Sequence, residues 1–183
     1  RELLSYYEME ELYLVVKEWY DGYQFGKEEI YCPWDVLNYI REHIGDRNVP
    51  PKLYWINTSG NEIVKKLIRR ADSGMKDEIE QLIEGKSITK EIHMEMTYKD
   101  LDDPREGEAD TKKENLWSIL YTTGYLTSKT PSSDGRHYNL EIPNEEIRAI
   151  FVMQVREWMS ETVIYGNTDR LLNFCQAVKM GEA

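Results

Sequence analysis

Between Met9 and Trp19 the apolar residues Leu12, Val15, Val16 and Trp19 recur at steps of three and four, which predicts a helix with one buried stripe. Two glycines in Asp21-Gly22-Tyr23-Gln24-Phe25-Gly26 then predict a turn, followed by a short extended stretch from Glu29 to Tyr31. Pro33 suits the first turn of a second helix, where a missing N–H is harmless, and Trp34, Leu37 and Ile40 or Ile44 would form its buried face as far as Gly45. After a loop holding Pro50 and Pro51, Leu53 to Ile56 leads into Asn57-Thr58-Ser59-Gly60-Asn61, where Thr58, Ser59 or Asn61 could cap a helix carrying Ile63, Val64, Leu67 and Ile68.

Ile79, Leu82 and Ile83 mark another helix closed by Gly85. The period then changes. Ser87 to Tyr98 places Ile88, Ile92, Met94 and Met96 on one parity, as a strand does, and Asp100 to Asp110 reads as an acidic loop. Leu116, Ile119, Leu120 and Tyr121 restore helical spacing up to Gly124. Tyr125 to Ser128 and His137 to Ile142 flank a turn cluster and read as a hairpin, and Asn144 caps a last helix bearing Ile147, Ile150, Phe151, Val155 and Trp158. This order predicts a mainly α chain with small β content (α+β). It divides into a helical subdomain (1–85), a winged-helix-like subdomain (86–160) and a C-terminal helix or linker (161–183).

Composition narrows the functional classes. The 183 residues are long enough for one sizeable domain or two small ones, and 34 acidic against 23 basic residues give a net charge of -11, which disfavours non-specific nucleic-acid binding. Cys32 and Cys175 stand far apart, so no disulfide framework or zinc ribbon is encoded and a reducing cytoplasm fits. With no apolar run of spanning length, no membrane partner is expected. The chain opens on Arg1 and runs directly into Leu3-Leu4-Ser5-Tyr6-Tyr7, which reads as a segment of a longer protein.

Complete catalytic machinery is missing from the pattern. There is no G-x-x-x-x-G-K-[ST] string to gather backbone N–H groups around a phosphate. Glu91, His93 and Glu95 would share a strand face and could chelate a metal, but a solvated face has the same alternation, so no metal site is assigned. His43 and His137 lack a Cys or Ser nucleophile at a recognisable spacing and are expected at the surface. Position six of a calcium loop counted from Asp100 is Arg105 rather than glycine, so the acidic loop is expected to be solvated. The segment from Leu116 to Gly124 presents Tyr, Thr and Leu rather than base-reading side chains, with Lys112 and Lys113 only at its start.

Five strings in order carry a resemblance: Trp19 to Tyr23 with Phe25-Gly26, Tyr31-Cys32-Pro33-Trp34, Tyr54 to Asn61, Gly124-Tyr125-Leu126-Thr127, and Ile142 to Glu146. Over most of Glu10 to Trp158 the chain resembles the bacterial predicted AAA-ATPase-like family, whose members usually carry a PD-(D/E)XK nuclease-like domain after the ATPase. The resemblance implies the C-terminal part of the ATPase region, with residues 1–85 as its helical lid-like subdomain, plus a winged-helix connector. ATP and magnesium would then belong to an upstream core, and the nuclease carboxylates and lysine to a downstream domain. Those two domains are the implied intramolecular partners, and this segment needs no catalytic residue or cofactor of its own. Trp34 and Trp55 would fill the core and Asn57 and Asn144 would cap helices. Asp21, Gly22, Tyr23, Asn57, Thr58, Ser59 and Asn61 are the candidates for facing the nucleotide pocket or a next subunit. An alternative function is a winged-helix nucleic-acid adaptor for the nuclease-like domain.

Overall fold

The computed structural model describes residues 1–25, 28–55, 64–65, 69, 71–95, 109–129 and 135–165. It is mainly helical with two small antiparallel sheets, an α+β architecture.

The first core is gathered by short elements: α1 (Glu2–Tyr6), a 3-10 turn (Glu10–Leu12), α2 (Tyr13–Tyr20), a hairpin of β1 (Tyr23–Phe25) and β2 (Glu28–Ile30), and α3 (Pro33–Gly45). Leu4, Met9, Val16, Tyr20, Tyr39 and Ile40 form its buried centre, with Leu12, Val15 and Trp19 packed against it. The stripe predicted for the first helix is therefore the packed one, although the helix begins at Tyr13 after the tighter turn. Asp21 turns extended after α2, and Gly22 at φ 103° redirects the chain into β1, whose register pairs Tyr23 with Ile30 and Gln24 with Glu29. The glycine turn thus opens a hairpin, where only one extended stretch was predicted.

The face of α3 is a correction. Pro33 starts the helix as expected, but Trp34, Leu37 and Ile44 are 61%, 55% and 59% exposed, while Asp35, Asn38, Tyr39 and His43 are buried beside Ile40. Two of these polar groups, Asn38 and His43, are paired within the helix. Asn38 Nδ2 donates to the Trp34 carbonyl at 2.8 Å, and His43 Nδ1 lies 3.0 Å from the Tyr39 carbonyl with its ring centre 4.2 Å from that of Tyr39, inclined at 60°. His43, expected at the surface, is 1% exposed.

The second core is built on α4 (Ser73–Ile83), β3 (Ile88–Glu91), α5 (Ala109–Thr122), β4 (His137–Leu140) and α6 (Glu145–Tyr165). Asp72 caps α4 by accepting from the Met75 N–H at 2.9 Å, and Gly85 at φ 82° ends it. Met75, Ile79 and Leu82 of α4 join Ile88, Leu116, Trp117, Leu120, Leu140, Ile147, Ile150 and Phe151 in one buried cluster. α4 packs in the second core with β3, α5, β4 and α6, so the two cores part before it, and α6 runs on through Tyr165.

β4 pairs with β3, Ile88 opposite Leu140 and Glu91 opposite His137, whereas the expected hairpin partner contributes only the bridge between Thr127 and Glu141. β3 ends at Glu91 and turns at Met94, so Glu91, His93 and Glu95 do not share a strand face; the His93 N–H instead donates to Ser118 Oγ at 3.0 Å. Among the described residues no group of three His, Cys, Asp or Glu side chains is placed to hold a metal, and no helix is long and apolar enough to cross a membrane.

Candidate functional site

Residues from each of the five strings come together where the two cores meet. From the first unit come Asp21, Gly22 and Tyr23 after α2, Cys32 and Asp35 at the start of α3, and Tyr54 and Trp55 from the following loop. The second unit contributes Gly124 and Tyr125 after α5 and Pro143, Asn144 and Glu146 at the start of α6.

Backbone contact is closest at Gly22. A Cβ built there would lie 1.9 Å from the Pro143 carbonyl oxygen, so only glycine lets the chains approach this closely. Next to it Asn144 works in two directions: its Oδ1 accepts from the Ile147 N–H at 3.0 Å, capping α6, and its Nδ2 donates to the Asp21 carbonyl at 2.8 Å. Tyr23 reaches across in the same way, its hydroxyl donating to the Gly124 carbonyl at 3.0 Å. Gly124, at φ 83°, receives the Trp55 ring, whose nearest carbon would stand 3.0 Å from an added Cβ, and Trp55 stacks on Tyr125 at 5.4 Å. Trp55 is thus half-buried against the second core as expected, whereas Trp34 is exposed, a correction that follows from the inverted face of α3.

Carboxyl groups sit at the centre of this junction. Asp35 and Glu146 are each 1% exposed and Asp21 is 3% exposed. Glu146 Oε1 accepts from the Trp55 N–H at 2.7 Å, and its carboxyl lies beside that of Asp35, which in turn neighbours the Cys32 thiol. Oδ1 of Asp35 and Oδ1 of Asp21 have no hydrogen-bond partner among the described residues. Burial pushes the Glu146 carboxyl up to about 8, against the Trp55 N–H, which lowers it, and with Asp35 raising it further. Asp35 is raised by the same loss of solvent. Two neighbouring carboxyls in a dry site disfavour a second negative charge. Burial, with Asp35 alongside, pushes the Cys32 thiol up to about 12, so it stays protonated and is no nucleophile.

Neighbouring phenols complete the junction. Tyr20 is fully buried, its hydroxyl donating to the Lys52 carbonyl at 3.2 Å and accepting from the Lys52 N–H at 3.1 Å, and it packs on Tyr39 and Tyr54. Burial raises Tyr20, Tyr23 and Tyr54, so all three remain neutral donors.

Of the candidates named from sequence, Asp21, Gly22 and Tyr23 lie inside this junction; Asn57, Thr58, Ser59 and Asn61 lie outside the described residues. Asp35 and Glu146 were missed. Glu146 stands two places after a cap residue, where an acidic side chain is ordinary, and Asp35 falls on a face that hydrophobicity assigned to solvent. The arrangement can hold two units in register and can hold a proton; its described residues comprise no nucleophile–base pair and no anion cradle. No family model, curated protein or solved structure matches the chain.

Proposed function

We propose that this chain is the non-catalytic C-terminal part of an AAA-ATPase-like region, and that it couples an upstream P-loop nucleotide site to a downstream nuclease-like domain. The single observation that carries the reading is the junction itself. Backbone apposition at Gly22 and Pro143, the Asn144 and Tyr23 cross-links and the Asp35–Glu146 pair bind the lid-like unit to the winged-helix-like unit. A displacement of one unit is therefore carried to the other without slack. In this reading the exposed stripe of Trp34, Leu37 and Ile44 on α3, beside a cleft of about 310 Å³ lined by Leu4, Tyr13, Val16 and Val36, is the side of the lid that meets the nucleotide-binding core.

The nucleic-acid adaptor is the competing function, and burial counts against it. Leu116, Trp117, Ser118, Ile119 and Leu120 are all buried, so this part of α5 has no face left for a groove, and the net charge of -11 opposes a phosphate backbone. Calorimetric titration of the chain with magnesium and ATP tests the proposal. No binding is expected, and micromolar affinity would place a nucleotide site here and overturn it. A salt-sensitive gel shift abolished by neutralising Lys112 and Lys113 would transfer the function to the adaptor.

A further inference from the structure

We infer that the Asp35–Glu146 pair is a proton-dependent latch: one shared proton holds the lid-like unit against the winged-helix-like unit, and its loss releases the junction. The inference rests on the coupling reading and names the regulation of that same junction.

The geometry points to a latch because the two carboxyls belong to different units. Asp35 is in the first turn of α3 and Glu146 in the first turn of α6, and each is 1% exposed. Their surroundings supply almost no compensation for a second negative charge. From the start of α3 Asp35 meets the Cys32 thiol; from the loop Glu146 meets the backbone N–H groups of Trp55 and Tyr54; from β1 comes the Tyr23 phenol; from α2 comes the Tyr20 phenol. Asp21 adds a further buried carboxyl at the end of α2, and Glu42, which faces Tyr54, is paired with Lys52 Nζ at 2.6 Å. Among the described residues no Lys or Arg forms an ion pair with Asp35 or Glu146. The backbone N–H groups at the start of α6 favour an anion, which accounts for one charge in the pair but not two.

The sign follows from burial. An exposed glutamate ionises at 4.5, whereas Glu146 in the closed junction holds its proton up to about 8. The closed state therefore binds more protons than the open one between these values. Closure is fully favoured below the lower value and weakens progressively as pH rises to the upper one, so the opening constant rises about tenfold per pH unit in that window and levels off above it. Neutral pH falls inside the window.

Glu146→Gln is the diagnostic variant, because its Oε1 still accepts from the Trp55 N–H and its NH2 donates where the shared proton did. In the full chain, hydrogen exchange at the Trp55 amide is followed from pH 6 to 8 and corrected for the intrinsic base dependence, alongside carbon-13 NMR titration of the Glu146 carboxyl. The expected result is protection at Trp55 falling about tenfold per pH unit in the wild type, a flat profile in E146Q, and a carboxyl that titrates well above 6. Equal pH profiles in the two proteins, or a Glu146 carboxyl titrating near 4.5, would overturn the latch. Failure of the coupling reading looks different: thermal unfolding would then show the two cores melting separately at pH 6 in both proteins, while the carboxyl titration still decides the fate of the proton.

Discussion

Gly22→Ala isolates the closest contact between the two units. The new methyl would meet the Pro143 carbonyl oxygen at 1.9 Å, whereas carbon and oxygen ordinarily approach no nearer than roughly 3.3 Å, so the backbones must separate by about 1.4 Å. Overpacking of this kind costs about 1–3 kcal/mol, and an alanine held at φ 103° adds about 1–2 kcal/mol. Separation also weakens the Asn144 to Asp21 hydrogen bond, 2.8 Å long, which contributes about 1 kcal/mol. The sum is roughly 3–6 kcal/mol. Gly135→Ala is the internal control, because Gly135 also has positive φ, 68°, but an added Cβ would meet nothing within 4 Å. It should cost about 1 kcal/mol, the backbone contribution alone. Urea unfolding followed by circular dichroism gives both values under one set of conditions. If the two substitutions cost the same, the apposition of Gly22 with Pro143 is not what joins the units.

Asn144→Ala removes the cap of α6 and the link to Asp21 together and should cost roughly 2–3 kcal/mol, while Asn144→Asp keeps the cap acceptor and recovers about 1 kcal/mol of that loss, both read by urea unfolding. Leu120→Ala, at a fully buried position in the second core, should destabilise by about 2–5 kcal/mol in the same assay; a loss under about 1 kcal/mol would contradict the packing. Trp34→Ala and Leu37→Ala should each change stability by less than about 0.5 kcal/mol, because both side chains are more than half exposed. Gly45→Ala, at the last residue of α3 with open space around it, should raise the melting temperature slightly, by up to about 1 kcal/mol of stability.

Helical periodicity located α3, α4, α5 and α6, and the apolar residues it chose for α5, Leu116, Ile119 and Leu120, are buried. Of the residues it set on one face of α3, Ile40 is buried while Trp34, Leu37 and Ile44 are exposed. That helix carries two stripes, and a hydrophobicity rule prefers Trp34-Leu37-Ile44 over Asp35-Asn38-His43. The polar stripe goes inside because each of its members finds a local or distant partner: a carbonyl one turn back for Asn38 and His43, and a carboxyl from the far end of the chain for Asp35. Long-range pairing of this kind leaves no trace in periodicity. The boundary between the two cores is hidden in the sequence for a related reason. Glycine and charge at Glu84 to Lys86 signal a loop, but loops occur within units as well as between them, and only the packing of Ile79 and Leu82 against Leu140 and Ile150 assigns α4 to the second core.

The junction was half legible. Asp21-Gly22-Tyr23 stood out because two aromatics and a glycine punctuate the end of a helix, and Asn144 because it precedes an acidic helical turn. Neither signal says that one residue bonds the other's backbone. The fold brings some residues of each string to one place, while Trp34 stays at the surface.

Calorimetric unfolding of the wild-type chain at pH 6 tests the central claim most directly, since a junction that couples the two units must also make their cores melt together. The account predicts one transition whose calorimetric and van't Hoff enthalpies agree. Two separated transitions, with Gly22→Ala moving only the one from the first core, would contradict it.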